Sequence, residues 1–314
     1  MTRFGIIGGG LMGHGIAVAL AQAGHGAGVF DNDPAVLAGL GDRVGSALAR
    51  SGTPRARVAA VGDRIVAVDS LAELAKQADV VIEAVSERLA VKHDVLAALE
   101  PHLPPDVPVW TNTSVLSISA VARAMLHPQR LVGVHWWNPP YLIPLVEIAP
   151  GTDTDPGFVD HAHTLIAELG KTTVRLHRDV PGFIGNRLQF ALVREALQLL
   201  ADGVCEPETI DTVVRAGVGL RWAAVGPMEN ADYIGLDLTR AILGSLAPSL
   251  STETHEFPVL DRLLAQEHAG RASGRGLLDW RPGRAEEVAA RLEAGIRHNL
   301  PARRGGRAGH GGSH

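Results

Sequence analysis

Cysteine is almost absent from this chain: Cys205 stands alone among 314 residues. A single thiol cannot close an internal disulfide, so a disulfide-stapled scaffold is excluded, as is a metal site built on several thiolates. Lysine is nearly as scarce, limited to Lys76, Lys92 and Lys171, and arginine carries the rest of the positive charge. With a net charge of -5 there is no basic surplus to attract nucleic acid or an anionic membrane surface. No apolar run reaches the ~18–20 residues that a membrane span requires. Met1 leads directly into a short strand without the charged-then-apolar pattern of a signal peptide. The expectation is a cytoplasmic protein with no nucleic-acid, membrane or metal partner.

What is present is the composition of a folded protein, 46% hydrophobic and 20% charged, over a length that suits two domains. The first half alternates short apolar runs with helical stretches. Strands are expected over 4–7, 27–30, 80–82, 107–110, 131–134 and 145–148, with the first helix over 13–23. Strands spaced by helices in this way define an α/β chain with an N-terminal doubly wound Rossmann sheet. Beyond Asp179-Val180-Pro181 the character changes. Residues 185–203, 206–217, 230–245 and 258–269 show helical periodicity with short Gly and Pro breaks, which predicts a second, smaller all-α domain. The expected division is 1–179, 180–300, and a disordered Gly/Arg/His tail over 301–314.

The run Gly8-Gly9-Gly10-Leu11-Met12-Gly13 fits G-x-G-x-x-G, follows a strand and opens a helix. In that setting Gly8, Gly10 and Gly13 permit a tight turn, and a pyrophosphate can reach the free N–H groups of the helix start. Leu11 and Met12 belong to the same cofactor loop. Asp31 closes the second strand, where a carboxylate accepts ribose hydroxyls and repels a 2′-phosphate, so the loop predicts NAD rather than NADP.

A second polar set lies where the sheet would expose its carboxyl edge. Thr111-Asn112-Thr113-Ser114 leaves one strand and His135 ends another, with Glu147 on the short apolar strand that follows. Oxidising an alcohol needs a base for the hydroxyl proton, and histidine suits that role near neutrality. A carboxylate on the other ring nitrogen would fix the tautomer. His135 and Glu147 can pair if their strands are adjacent and antiparallel. Read from the residues alone, a hydrogen-bonded structural histidine is an equal alternative.

The segments GGGLMG, IEAVSERLAVK, NTSVLSIS, GVHWWNPPYLIPLVEI, DVPGFIGNRL, VGPMENADYIGLD and ASGRGLLDW occur in an order that resembles the L-3-hydroxyacyl-CoA dehydrogenase family, including its lambda-crystallin and gulonate dehydrogenase branch. The resemblance implies NAD-dependent oxidation of a 3-hydroxyacyl-CoA or related L-3-hydroxy acid to the keto product. It implies His135 as general base paired with Glu147, and Ser114 and Asn186 as contacts to the substrate oxygen. It also implies Glu87, Lys92, Ser114 and Asn138 as residues lining the NAD site, and a helical second domain that forms a homodimer. The broader β-hydroxyacid dehydrogenases instead use a lysine on the first long helix of the second domain, and 185–203 contains none.

Departures from the family pattern bear on the substrate. Members that use CoA carry a lysine-rich helical hairpin after the second strand. The matching stretch, 34–75, has no lysine and offers Arg43, Arg50, Arg55, Arg57 and Arg64. Trp136-Trp137 and the Pro-Pro-Tyr after Asn138 also replace the usual Phe-Phe-Asn-Pro-Val. These features look more like the branch acting on small CoA-free substrates, of gulonate, carnitine or pyridine type. A non-catalytic, crystallin-like NAD-binding protein is a third reading, opposed by the retention of Ser114, His135, Glu147 and Asn186.

Overall fold

The computed structural model describes residues 1–299; the expectation for 301–314 lies outside them. The chain forms two compact units, Met1–Arg187 and the residues from Leu188 onward. Among the described residues no helix is long and apolar enough to cross a membrane.

The first unit is built on one eight-stranded sheet. Its strands are β1 (Arg3–Ile7), β2 (Gly26–Phe30), β3 (Ile65–Ala67), β4 (Val80–Glu83), β5 (Val109–Thr111), β6 (Leu131–Trp136), β7 (Leu145–Pro150) and β8 (Thr172–Arg175). They lie in the order β3-β2-β1-β4-β5-β6-β7-β8. All neighbours are parallel except β6 and β7, which run antiparallel. The order reverses between β1 and β4, and a doubly wound sheet opens its ligand crevice at such a switch point.

Helices cover both faces, which is why β4 and β6 are buried along their whole length. On one face helix Leu11–Gln22 packs Ile16 and Leu20 with Val44, Leu48, Leu165 and Ile166. On the other, Leu74, Leu96, Leu99, Ile118 and Val121 form a second cluster. Strands β3 and β8 have no counterpart among the sequence expectations. Each is a short edge strand with exposed positions, so neither leaves the apolar run that marks the inner strands.

The first unit continues to Arg187, past the division expected at 179/180. Backbone N–H groups of Ile184 and Gly185 donate to Glu147, and the Asn186 amide donates to the Ser114 carbonyl, binding that segment to the sheet. The second unit is helical, with Gly185–Ala201 leading into Pro207–Val213, Gly219–Ala224, Pro227–Ile234, Leu236–Leu246, Pro258–Ala265 and Arg284–Asn299. The helix expected over 230–245 is two, broken at Gly235, whose φ of 99° suits glycine. Among the described hydrophobic residues of this unit, only Leu197 and Val259 are buried.

Candidate active site

The glycine loop sits at the switch point. Gly8 adopts φ 102°, and a Cβ there would stand 2.5 Å from the Ala84 carbonyl oxygen on the far side of the switch point. A Cβ on Gly13 would stand 1.7 Å from the Gly8 oxygen, so helix Leu11–Gln22 can approach the loop only through glycine. Gly10 caps that helix without a side-chain hydrogen bond, and no atom lies within 4 Å of where its Cβ would be. This open space adjoins a cleft of about 670 Å³ lined by Gly8, Gly10, Asp31, Asn32, Val85 and Ser86. Asp31 is fixed at its rim: Oδ2 accepts from Gly9 N–H at 2.8 Å and Oδ1 from Asp33 N–H at 3.0 Å. An open cradle at a helix N-terminus with a carboxylate beside it fits a dinucleotide. Leu11 is exposed and Met12 half-buried at the helix start.

One arginine of the 34–75 stretch is turned inward. Arg43 donates to the carbonyls of Gly9 and Val36, tying the glycine loop to helix Leu40–Arg50.

The second polar set converges between β6 and β7, where His135 and Glu147 are direct register partners. His135 Nδ1 lies 3.0 Å from Glu147 Oε2, with both residues buried. An ionised carboxylate only accepts, so Nδ1 carries the proton and Nε2 keeps its lone pair. The ring stacks on Phe183 at 5.0 Å between centroids. Glu147 Oε1 accepts the N–H groups of Ile184 at 2.9 Å and Gly185 at 3.0 Å, and Oε2 also accepts Trp137 Nε1–H at 3.2 Å. Burial pushes the Glu147 carboxyl up, but the bonds from His135, Gly185 and Ile184 outweigh it and hold the group below the usual carboxylate range.

The polar run at the end of β5 is mostly committed internally. Thr111 donates to Glu83, Asn112 accepts from Trp136 N–H, and Thr113 donates to Glu87. Glu87 also accepts the N–H groups of Ser114 and Val115 at 2.7 and 2.9 Å, so it shapes the loop that presents Ser114. Burial raises the Glu87 carboxyl, and the bonds from Thr113 and Val115, the Lys92 charge and the Ser114 N–H together bring it below its ordinary range. Lys92 reads as a solvated helix residue without its context, yet it is buried, 2.8 Å from Glu83 Oε1 and 3.3 Å from Glu87 Oε2.

Glu83 itself was not singled out by sequence. An acid at the end of the run Val-Val-Ile-Glu reads as a strand terminus meeting water. Ser114 and Asn186 do come together, but through the Ser114 backbone carbonyl and the Asn186 amide at 3.1 Å. Asn138 is exposed on the turn after β6.

A switch-point sheet with a glycine cradle, an acidic rim and a buried histidine–carboxylate pair defines a dinucleotide-binding protein of the dehydrogenase class. The chain belongs to the 3-hydroxyacyl-CoA dehydrogenase family: residues 3–180 match its NAD-binding domain and 182–280 its C-terminal domain. It is 33% identical over 300 residues to 5-formyl-3-hydroxy-2-methylpyridine 4-carboxylate 5-dehydrogenase of Mesorhizobium japonicum, covering 92% of this chain and 94% of that protein. It is 35% identical over 281 residues to a probable 3-hydroxybutyryl-CoA dehydrogenase of Bacillus subtilis, covering 88% and 96%. Among solved structures, 5-formyl-3-hydroxy-2-methylpyridine 4-carboxylic acid 5-dehydrogenase, described as an NAD+-dependent dismutase, superposes with a TM-score of 0.88 at 33% identity, over 95% of this chain and 98% of that one.

Proposed function

We propose that this protein oxidises a 3-hydroxyacyl-CoA or a related L-3-hydroxy acid to the keto product, acting in the cytoplasm as a homodimer. The observation that carries the reading is the His135–Glu147 pair, buried at 3.0 Å with Nε2 left as the ring's accepting atom. His135 Nε2 takes the hydroxyl proton, and Glu147 holds the imidazolium that forms. NAD, when bound, accepts the hydride that leaves the carbinol carbon, so the balance is alcohol and NAD+ to ketone, NADH and a proton. Ser114 and Asn186 orient the substrate oxygen toward His135. Glu87 and Lys92 keep the Ser114 loop in place, and Asn138, on the turn after β6, would contribute to the cofactor site. The homodimer reading draws support from the apolar surface of the helical unit, where Leu188, Phe190, Leu236 and Ile242 are exposed.

Two observations favour a second reading in which the same chemistry acts on a small CoA-free hydroxy acid or hydroxymethyl compound. Arg43, one of the arginines standing where a lysine-rich handle would be, is spent on the Gly9 and Val36 carbonyls. The Mesorhizobium relative also carries a pyridine carboxylate in its name.

A panel of 3-hydroxyacyl-CoA thioesters and free hydroxy acids, scored by NADH absorbance, separates the two. Turnover of free acids alone would sink the thioester reading. Replacing the base, His135→Ala, is expected to lower kcat at least ~100-fold while NAD binding survives. Comparable turnover in that variant would remove His135 from the role of base.

A further inference from the structure

We infer that Trp137 is a positioning residue for the His135–Glu147 pair, setting through its indole N–H how strongly Glu147 holds a protonated His135 ring. The inference rests on the proposed role of His135 as base. Its geometry stands on three contacts. Trp137 Nε1 lies 3.2 Å from Glu147 Oε2, the same oxygen that His135 Nδ1 reaches at 3.0 Å. Its ring tilts against the His135 ring, with centroids 5.5 Å apart and planes at 57°. A Cβ on Gly185 would stand 2.2 Å from Trp137 Cζ2 and 3.2 Å from Glu147 Oε2, so the indole fills the space over the first turn of helix Gly185–Ala201.

This bond is not the default for an indole in this chain. The adjacent Trp136 is buried with its Nε1 lacking any hydrogen-bond partner, as is Trp110. Trp137 alone of these three directs its N–H onto a carboxylate, and it chooses the oxygen that faces the catalytic ring. A second donor on Oε2 draws negative charge away from the His135 side of the carboxylate. The imidazolium formed during oxidation is then held less tightly and gives up its proton more readily. Without the indole N–H, Oε2 would face the ring with its full charge.

Trp137→Phe removes the donor and keeps an aromatic ring in the space. The acid limb of the kcat/KM profile for alcohol oxidation is expected to move to higher pH by about half a unit. That is a loss of roughly 3-fold on the acid side, from a hydrogen bond to a charged group only part of whose strength reaches the ring. NAD affinity is expected to stay unchanged, since the glycine loop is untouched. Superimposable wild-type and variant profiles would overturn the inference.

A second measurement is independent of turnover. The five tryptophans give five indole N–H signals, and that of Trp137 is expected downfield, moving upfield in Glu147→Gln. A signal that ignores the Glu147 substitution would also overturn the inference. A wild-type profile with no acid limb would count against His135 as base, and the indole signal would still decide the contact.

Discussion

Glu83 has no exposure at all, and both of its oxygens are in use. Oε1 accepts from Lys92 at 2.8 Å and from Val85 N–H at 2.9 Å, while Oε2 accepts from Lys92 at 3.0 Å and Thr111 at 2.7 Å. Such a pair repays its desolvation only while both charges are present. Lys92→Met strands the carboxylate and is expected to cost about 3–5 kcal/mol in urea unfolding. Adding Glu83→Leu removes the stranded charge, so the double variant is expected to recover most of that loss. A double variant no more stable than Lys92→Met would mean that the pair is not what the site depends on. The lysine also reaches Glu87, which carries the Ser114 loop, so NAD affinity should fall in the single variant as well. Lys92 and Glu87 were reachable from sequence only through the family motif. Their partner Glu83 was not, because burial of a strand-terminal acid depends on a lysine nine positions along and a threonine on a different strand.

At the scale of elements, the turn between β6 and β7 shows what carries and what does not carry in a local pattern. The two strands were legible as short apolar runs, but their antiparallel pairing was only the condition under which His135 and Glu147 could meet, and the register that makes them direct partners comes from the fold. The edge strands β3 and β8 were not, since a three- or four-residue strand with exposed faces leaves no periodic signal. Nor was the clamp on the intervening turn. Lys171, just before β8, donates from Nζ to the carbonyls of Pro140 and Ile143 and lies over the Trp136 ring at 5.3 Å. Pro140 in turn packs on helix Leu11–Gln22, where a Cβ on Gly15 would meet its Cδ at 2.8 Å.

Burial pushes the Lys171 ammonium from 10.5 down to about 8. Between those values the folded chain holds fewer protons than the unfolded one, so stability rises with pH across the window and the burial penalty is fully felt below it. The gain expected from about pH 8 to 10.5 is at most ~3 kcal/mol for a shift of that size. Lys171→Met should lack this climb. Parallel wild-type and variant stability curves between pH 7.5 and 10, measured by urea unfolding, would refute the clamp as a titrating group.

At the scale of the molecule, the two units handle apolar surface in opposite ways. The first buries its hydrophobic side chains in two clusters on either side of the sheet. The second leaves whole helical stripes uncovered. Along helix Leu236–Leu246, Leu238, Ile242 and Leu246 recur at four-residue spacing and are 52%, 47% and 49% exposed. Side chains four apart share one face of a helix, so this is a continuous stripe and not scattered surface. In the proposed homodimer a second copy of the same chain would cover this stripe with the same residues across a two-fold axis. Glutamate introduced at Leu238 and Ile242 would then face its own counterpart, adding like-charge repulsion to the cost of burying carboxylates. The double variant Leu238→Glu, Ile242→Glu is expected to weaken self-association at least ~100-fold, giving monomers at micromolar concentration in sedimentation equilibrium where the wild type is expected to sediment as a dimer. NAD binding should survive, because the cradle of Gly8, Gly10 and Gly13 belongs wholly to the first unit. A wild type that sediments as a monomer, or a double variant that remains dimeric, would remove this helix from the proposed interface.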